Sequence, residues 1–167
     1  MNIPHTDQQE RNECYHWLST IHDPEIPVLS IIDLGIVRKV ELLSPRADQG
    51  IVSVTITATY TGCPAMDTIA TLITMELLGK GYKKVEVVRA ISPAWTTDWM
   101  SQAGKEKLKT YGIAPPDGRF QRPDDGISCP QCGSHNTRLL SEFGSTACKA
   151  LLQCNDCAEP FDYFKCH

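Results

Sequence analysis

The sequence contains no run approaching the ~20 apolar residues that a bilayer-spanning helix requires. Its opening, MNIPHTDQQERNE, is polar and acidic, where a secretory signal would need a basic stretch followed by an apolar one. There is no lysine–arginine stripe either. Basic and acidic residues are interspersed and the formal net charge is -4, which disfavours a surface built to track a phosphate backbone. A Gly-rich phosphate loop, an HExxH metalloprotease motif, an internal repeat and a low-complexity tract are all missing. Nucleic acid and membrane are therefore not expected partners, and an autonomous enzyme has no support. Eight cysteines without a secretion signal read as metal ligands and reduced thiols of a cytoplasmic protein.

What is present is concentrated at the carboxy-terminal end. Cys129-Pro-Gln-Cys132-Gly and Cys154-Asn-Asp-Cys157 are two CxxC knuckles, and each places two thiolates on one tight turn. Two such turns facing each other close a tetrahedron of sulfur ligands suited to a structural Zn²⁺. Cys129, Cys132, Cys154 and Cys157 are thus the expected zinc ligands, and the metal should supply most of the folding free energy of so small a unit. Cys148 and Cys166 are surplus. They are either packed thiols beside the ribbon strands or extra metal ligands, replacing a knuckle cysteine or forming a second, labile site. His135 is a weaker candidate than any cysteine.

Along the rest of the chain, Cys14, Trp17, Leu18 and Ile21 recur at helical spacing, which predicts an amphipathic helix from Asp7 to about His22 with Cys14 in the core. Asp23-Pro24 should end it, and an extended acidic loop follows to Pro27. Strands are predicted at Val37 to Leu43 and, from the alternation in IVSVTITAT, at Ile51 to Thr59, paired as a hairpin. Pro64 to Leu78 reads as a second helix with proline at its first position, stopped by Gly79 and Gly81. A third strand runs from Lys84 to Ile91, and a short helix from about Ser101 to Thr110. The order α-β-β-α-β-α gives a small domain of the α/β (α+β) class with a three-stranded mixed sheet. We expect it over residues 1–112, a Pro/Gly/Asp-rich linker over 113–126, and the zinc ribbon over 127–167.

Cys63 is the candidate site residue of the first domain. It follows a glycine turn and precedes Pro64, so it should occupy or adjoin the N-cap of the second helix. There, unpaired amides and the helix dipole favour an anion and lower a thiol pKa, making thiolate available for metal binding or attack. The alternative is a buried cysteine acting as a small hydrophobe. Asp23, Glu25 and Asp33 form a second group that could converge near Cys63; the plainer account makes Asp23 a cap and Glu25 a solvated charge. Trp95 and Trp99 are expected to cover the sheet.

Four motifs taken in order, Asp23-Pro24-Glu25-Ile26-Pro27, Ile32-Asp33-Leu34-Gly35-Ile36-Val37, Thr61-Gly62-Cys63-Pro64 and Pro93-Ala94-Trp95-Thr96, resemble those of the small iron–sulfur assembly domain family. That family includes SufT-like proteins and a subunit of the eukaryotic cytosolic cluster-targeting complex. The ribbon segments around Cys129, from Phe143 to Lys149 and from Pro160 to Cys166 further resemble the D-component family of bacterial phenylacetyl-CoA epoxidase systems. The resemblance implies an accessory role in aerobic phenylacetate catabolism, beside a di-iron oxygenase and its iron–sulfur flavin reductase. It implies iron–sulfur cluster assembly or insertion as the task, with Cys63 as transfer ligand and the cluster held transiently. A scaffold component that never handles iron is the alternative, and a zinc-ribbon nucleic-acid binder a further one. A symmetric homodimer would bring two Cys63 thiolates together if they lie near its axis.

Overall fold

The first helix, α1 (Asp7–Leu18), ends a full turn earlier than hydrophobic periodicity suggests. In the computed structural model, which describes residues 7–116 and 126–165, the Ser19 and Thr20 hydroxyls donate to the carbonyls of His16 and Trp17 at 2.6 and 2.7 Å. These hydroxyls take up acceptors that a further turn would have used. The chain then extends: Asp23 N–H donates to the Leu29 carbonyl and Ile31 N–H to that of Ile21, both at 2.9 Å. This bridge ties the acidic loop into a closed hairpin-like excursion. Backbone pairing across 21–31 outcompeted helical periodicity.

The chain divides into two units, Met1–Trp95 and Thr96–His167. In the first, β1 (Val37–Ser44), β2 (Ile51–Ile56), α2 (Ala65–Gly79) and β3 (Lys84–Arg89) follow α1. The sheet order is β1-β2-β3, antiparallel for β1 with β2 and parallel for β2 with β3. This is the three-stranded mixed sheet expected from the sequence. Strand β2 stops short of Thr59 because its partner runs out: Thr57 N–H donates to the Ile36 carbonyl, one residue before β1 begins. Val52, Val54 and Ile56 are fully buried, as are Ile69, Ile73 and Leu77 from α2, and these side chains make the core. Gly81, at φ 100°, takes the left-handed turn after α2, whereas Gly79 remains inside the helix.

A buried polar network crosses this core. Glu10 is 5% exposed, and its Oε1 accepts from the Arg46 amide at 2.8 Å and the Tyr82 hydroxyl at 2.7 Å. The same hydroxyl lies 3.2 Å from Cys14 Sγ. Burial and the bond to Cys14, then the bond to Glu10, push the Tyr82 pKa far up, so it is a neutral phenol. Cys14 is itself fully buried, as the helical stripe predicted. The Arg46 guanidinium lies over the Trp17 ring, 5.0 Å from its centroid, and pairs with Glu13 at 2.7 Å.

In the second unit a 3-10 turn (Thr97–Trp99) leads to α3 (Gln102–Tyr111). The Ser101 hydroxyl caps α3 by accepting from Gly104 N–H, and Gly112 at φ 91° ends it. Ile113 and Ala114, which composition assigned to the linker, form a short strand β4 paired in parallel with β7 (Pro160–Phe164). With β5 (Thr137–Ser141) and β6 (Lys149–Cys154) they make a four-stranded sheet in the order β4-β7-β6-β5. Ala114, Ile127, Ala150, Leu152, Phe161 and Tyr163 pack with Cys129 and Cys154 as its core.

Removing the Tyr82 hydroxyl leaves a buried carboxylate oxygen with one donor fewer. Tyr82→Phe is expected to lower the unfolding free energy of the first unit by about 1–2 kcal/mol, read from urea titration followed by tryptophan fluorescence. An unchanged midpoint would mean that this network contributes nothing net.

Candidate functional site

Sheet topology gathers the conspicuous motifs of the first unit at one end. Val37 at the start of β1 pairs with Ile56 at the end of β2, and Ile56 with Arg89 at the end of β3. The segment before β1, the loop after β2 and the loop after β3 therefore all leave the sheet on the same side. They carry Asp23, Glu25 and Asp33, then Cys63, then Trp95. Two of these loops are bonded directly: Trp95, 4% exposed, donates its indole N–H to the Leu34 carbonyl at 2.8 Å. Trp95 is thus a buried anchor for the turn that precedes β1.

Cys63 immediately precedes Pro64, the N-cap residue of α2. Its amide donates to the Tyr60 carbonyl at 3.3 Å, and its carbonyl accepts from Met66 N–H at 3.3 Å. Gly62, at φ 81°, makes the turn that delivers it. The thiol is half-buried. Its pKa is raised, contrary to the lowering expected at a helix start: burial dominates, the Ala65 amide and Tyr60 hydroxyl pull down, and the charges of Glu25 and Asp23 push up. Desolvation and two carboxylates outweigh the helix terminus. At neutral pH Cys63 is a thiol, and a metal must displace its proton.

The acidic residues differ in what they do. Asp23 is buried and its Oδ1 accepts from the amides of Glu25 and Ile26 at 2.7 and 3.0 Å. That is the capping role of the plainer account, yet its charge and that of Glu25 are felt at Cys63. Asp33 is engaged with Ser30: its Oδ2 accepts from the Ser30 amide and hydroxyl at 3.1 and 2.9 Å, while its own amide donates to Ser30 Oγ at 3.0 Å. Reciprocal bonds of this kind hold a single turn. Trp99 is half-exposed, in the 3-10 turn of the second unit. The Tyr60 contact to Cys63 escaped the sequence reading; the only hint was an aromatic residue three positions ahead of the thiol.

The metal centre of the second unit is compact. The Sγ atoms of Cys129, Cys132, Cys154 and Cys157 all lie within 4.8 Å of one another. The pairs Cys129–Cys157 and Cys132–Cys154 are 3.8 and 3.6 Å apart. A tetrahedron with Zn–S bonds of ~2.3 Å has edges of ~3.8 Å, so the four thiols fit zinc, which they would bind as thiolates. Each knuckle is followed by a left-handed residue: Gly133 at φ 77° and, in the corresponding place, Ala158 at φ 62°. The amides of Cys157 and Asp156 hold the Cys154 thiol down to about 7. Cys157, though exposed, is pushed up to about 12 despite the Glu159 amide, through partial loss of hydration and the thiols of Cys132, Cys154 and Cys129 around it. So many sulfurs cannot all ionise together without a cation between them.

Cys148 is buried with its Sγ 3.0 Å from the Thr146 hydroxyl, and it is not among the four clustered thiols. His135 Nδ1 lies 2.9 Å from the Gly126 carbonyl, outside the cluster as well. Cys166 lies outside the described residues. Among the described residues no other group of this kind is assembled, and no helix is long and apolar enough to cross a membrane.

The first unit is a mixed sheet with a half-buried thiol at its loop end, and a four-cysteine ribbon follows it in the chain. Residues 12–88 match the model of the iron–sulfur cluster assembly protein family, and residues 114–165 that of the PaaD zinc beta ribbon domain. A protein of Escherichia coli (strain K12), named provisionally as the D component of 1,2-phenylacetyl-CoA epoxidase, is 48% identical over 158 residues, 93% of this chain and 92% of its own. An Fe-S protein maturation auxiliary factor of Porphyromonas gingivalis (strain ATCC BAA-308 / W83) is 37% identical over 101 residues, 60% of this chain and 91% of its own. A crystal structure of a DUF59 domain of unknown function from Bacillus anthracis superposes with a TM-score of 0.54 at 26% identity, over 60% of this chain and 92% of that one. The chain belongs to the PaaD family. Its ribbon is a zinc ribbon with a structural metal.

Two outcomes follow from this geometry. Ala158→Gly relieves a left-handed alanine and is expected to stabilise the zinc-loaded ribbon by up to about 1 kcal/mol, measured by thermal unfolding at fixed zinc; a loss of stability would contradict the strain. Alkylation of Cys63 against pH, followed by peptide mass spectrometry, should give an apparent pKa above that of a free thiol. Glu25→Gln should move it down, because a negative neighbour disfavours thiolate. An unmoved profile would separate Glu25 from the thiol.

Proposed function

We propose that this chain is a non-catalytic accessory component of a phenylacetyl-CoA epoxidase system, in the cytoplasm, and that it assists iron–sulfur cluster assembly in the reductase. One observation carries the reading. Among the described residues of the first unit Cys63 is the accessible thiol, while Cys14 is fully buried against Tyr82. A cluster generally takes about four protein ligands, so one thiol can hold it only while a client supplies the rest. Such a site binds in passing and releases, which is what a carrier requires. The family relationship supports an accessory role and the assembly-domain match supports cluster handling.

A scaffold reading has its own support, since Leu140 and Phe143 of the ribbon are 47% and 63% exposed and offer a docking surface without any iron chemistry. The two readings separate at one residue. The reductase purified from cells carrying Cys63→Ser, with the variant shown folded and zinc-loaded, is expected to lose most of its iron and acid-labile sulfide. A fully loaded reductase would remove Cys63 from the mechanism and leave the scaffold.

A further inference from the structure

The four-sulfur centre of the ribbon is open on one side. Cys129 and Cys154 are buried and pack in the ribbon core with Leu152, Phe161 and Tyr163, whereas Cys132 and Cys157 are exposed. Each knuckle thus turns one cysteine inward and one toward solvent. The exposed member of each knuckle faces the buried member of the other. Cys132 Sγ lies 3.6 Å from Cys154 Sγ, and Cys157 Sγ lies 3.8 Å from Cys129 Sγ.

A polar rim ties the two knuckles together without using the sulfurs. The Asp156 carboxylate accepts from the Ser134 hydroxyl and, at 2.8 Å, from the Asn136 side-chain amide. Asn155 N–H donates to the Asn136 carbonyl at 2.8 Å, and its side-chain amide to Asn136 Oδ1 at 3.0 Å. These bonds keep the facing sulfurs within reach of each other when their ligation changes. Bound zinc holds all four sulfurs as thiolates, and thiolate is the form that oxidises. The other described thiols are less open: Cys63 is half-buried, and Cys14 and Cys148 are buried. An oxidant in solution therefore meets the ribbon first. The Asp156 carboxylate beside the centre disfavours an anionic oxidant and leaves a neutral hydroperoxide unhindered.

We propose that the ribbon is a peroxide-sensitive switch, with Cys132 and Cys157 as the reacting thiolates and Cys154 and Cys129 as their resolving partners. The Cys132 thiolate attacks one oxygen of hydrogen peroxide. The O–O bond breaks, the sulfur is oxidised by two electrons to a sulfenic acid, and hydroxide leaves. The Cys154 thiolate then attacks that sulfur, so that an S–S bond forms as the S–O bond breaks and a second hydroxide leaves. Both hydroxides take protons from the buffer. Cys157 and Cys129 carry out the same steps. One bridge leaves two thiolates where a closed tetrahedral site needs four, so the metal is released. The ribbon then loses the folding free energy that the metal supplies, while the first unit keeps its own core. This device is independent of the carrier role of Cys63.

The test treats the full zinc-loaded chain with hydrogen peroxide, in anaerobic buffer free of small thiols, with a chromogenic zinc chelator present. Zinc should be released faster than without peroxide, in proportion to the Cys132–Cys154 and Cys157–Cys129 bridges mapped by peptide mass spectrometry, and before Cys63 is oxidised. A dithiol reductant with added zinc should restore the centre. Cys132→His keeps a zinc ligand but removes one exposed thiolate, and should confine the bridge to Cys157–Cys129. With Cys157→His added, peroxide-driven release should be lost. Cys148→Ser removes a buried thiol outside the centre and should release zinc as the wild type does. Zinc retained while Cys63 oxidises would overturn the proposal, as would release without a ribbon disulfide or undiminished release from the double-histidine variant. Where the histidine variants take up no zinc, the order of ribbon and Cys63 oxidation in the wild type decides alone.

Discussion

The parallel pairing of β2 with β3 is the constraint from which the first unit follows. Parallel neighbours cannot be joined by a tight turn; the chain must cross back over the sheet before the second strand begins. Here α2 is the crossover, and its core face of Ile69, Ile73 and Leu77 covers the sheet. A crossover helix starts beside the carboxyl end of the strand that precedes it. That fixes the Thr61–Pro64 loop, and with it the helix start, at one end of the sheet. Because β1 is antiparallel to β2, the segment entering β1 arrives at that same end. Open α/β sheets place their chemistry in such a crevice, and this small sheet obeys the same geometry with three strands.

The four short motifs that mark the unit in sequence are consequently neighbours for topological reasons. Their internal bonds differ in purpose. Trp95 to Leu34 and Ser30 with Asp33 set the backbone of the segment before β1, while Asp23 holds its own loop through the amides of Glu25 and Ile26. The Ala65 amide, Tyr60, Glu25 and Asp23 act on the thiol itself. Most of the motif residues thus build the frame around the half-buried Cys63 thiol. The ribbon reaches its geometry by another route, through two knuckle turns that converge four sulfurs and leave their mutual repulsion for a cation to cancel.

Legibility in the sequence tracked how local the cause was. The CxxC knuckles, the β-branched alternation of β2 and the Gly62-Cys63-Pro64 punctuation are each set by a few adjacent residues, and they appear where the sequence put them. The end of α1 was not legible, because it is decided by backbone bonds from residues 21 and 23 to 31 and 29. Strand β4 was hidden for the same reason: Ile113 and Ala114 are a strand only because Asp162 and Tyr163 lie alongside. Of the two readings open for Cys63, the lowered thiol pKa is the one that the structure reverses. A helix start argues for a lowered pKa, and it took the positions of Glu25 and Asp23 and the degree of burial to reverse the sign.

That reversal bears on what kind of thiol Cys63 is. A nucleophile or a resident metal ligand benefits from being thiolate before its partner arrives. A thiol held protonated by burial and adjacent carboxylates binds metal only by giving up its proton, and part of the binding free energy is spent on that exchange. The same environment protects it from oxidation while it waits, since the thiolate is the species that oxidises. Such a residue is slow to react as a nucleophile at neutral pH. In the carrier role proposed above, that reluctance would be an advantage, because the site would have to take a cluster up and give it away.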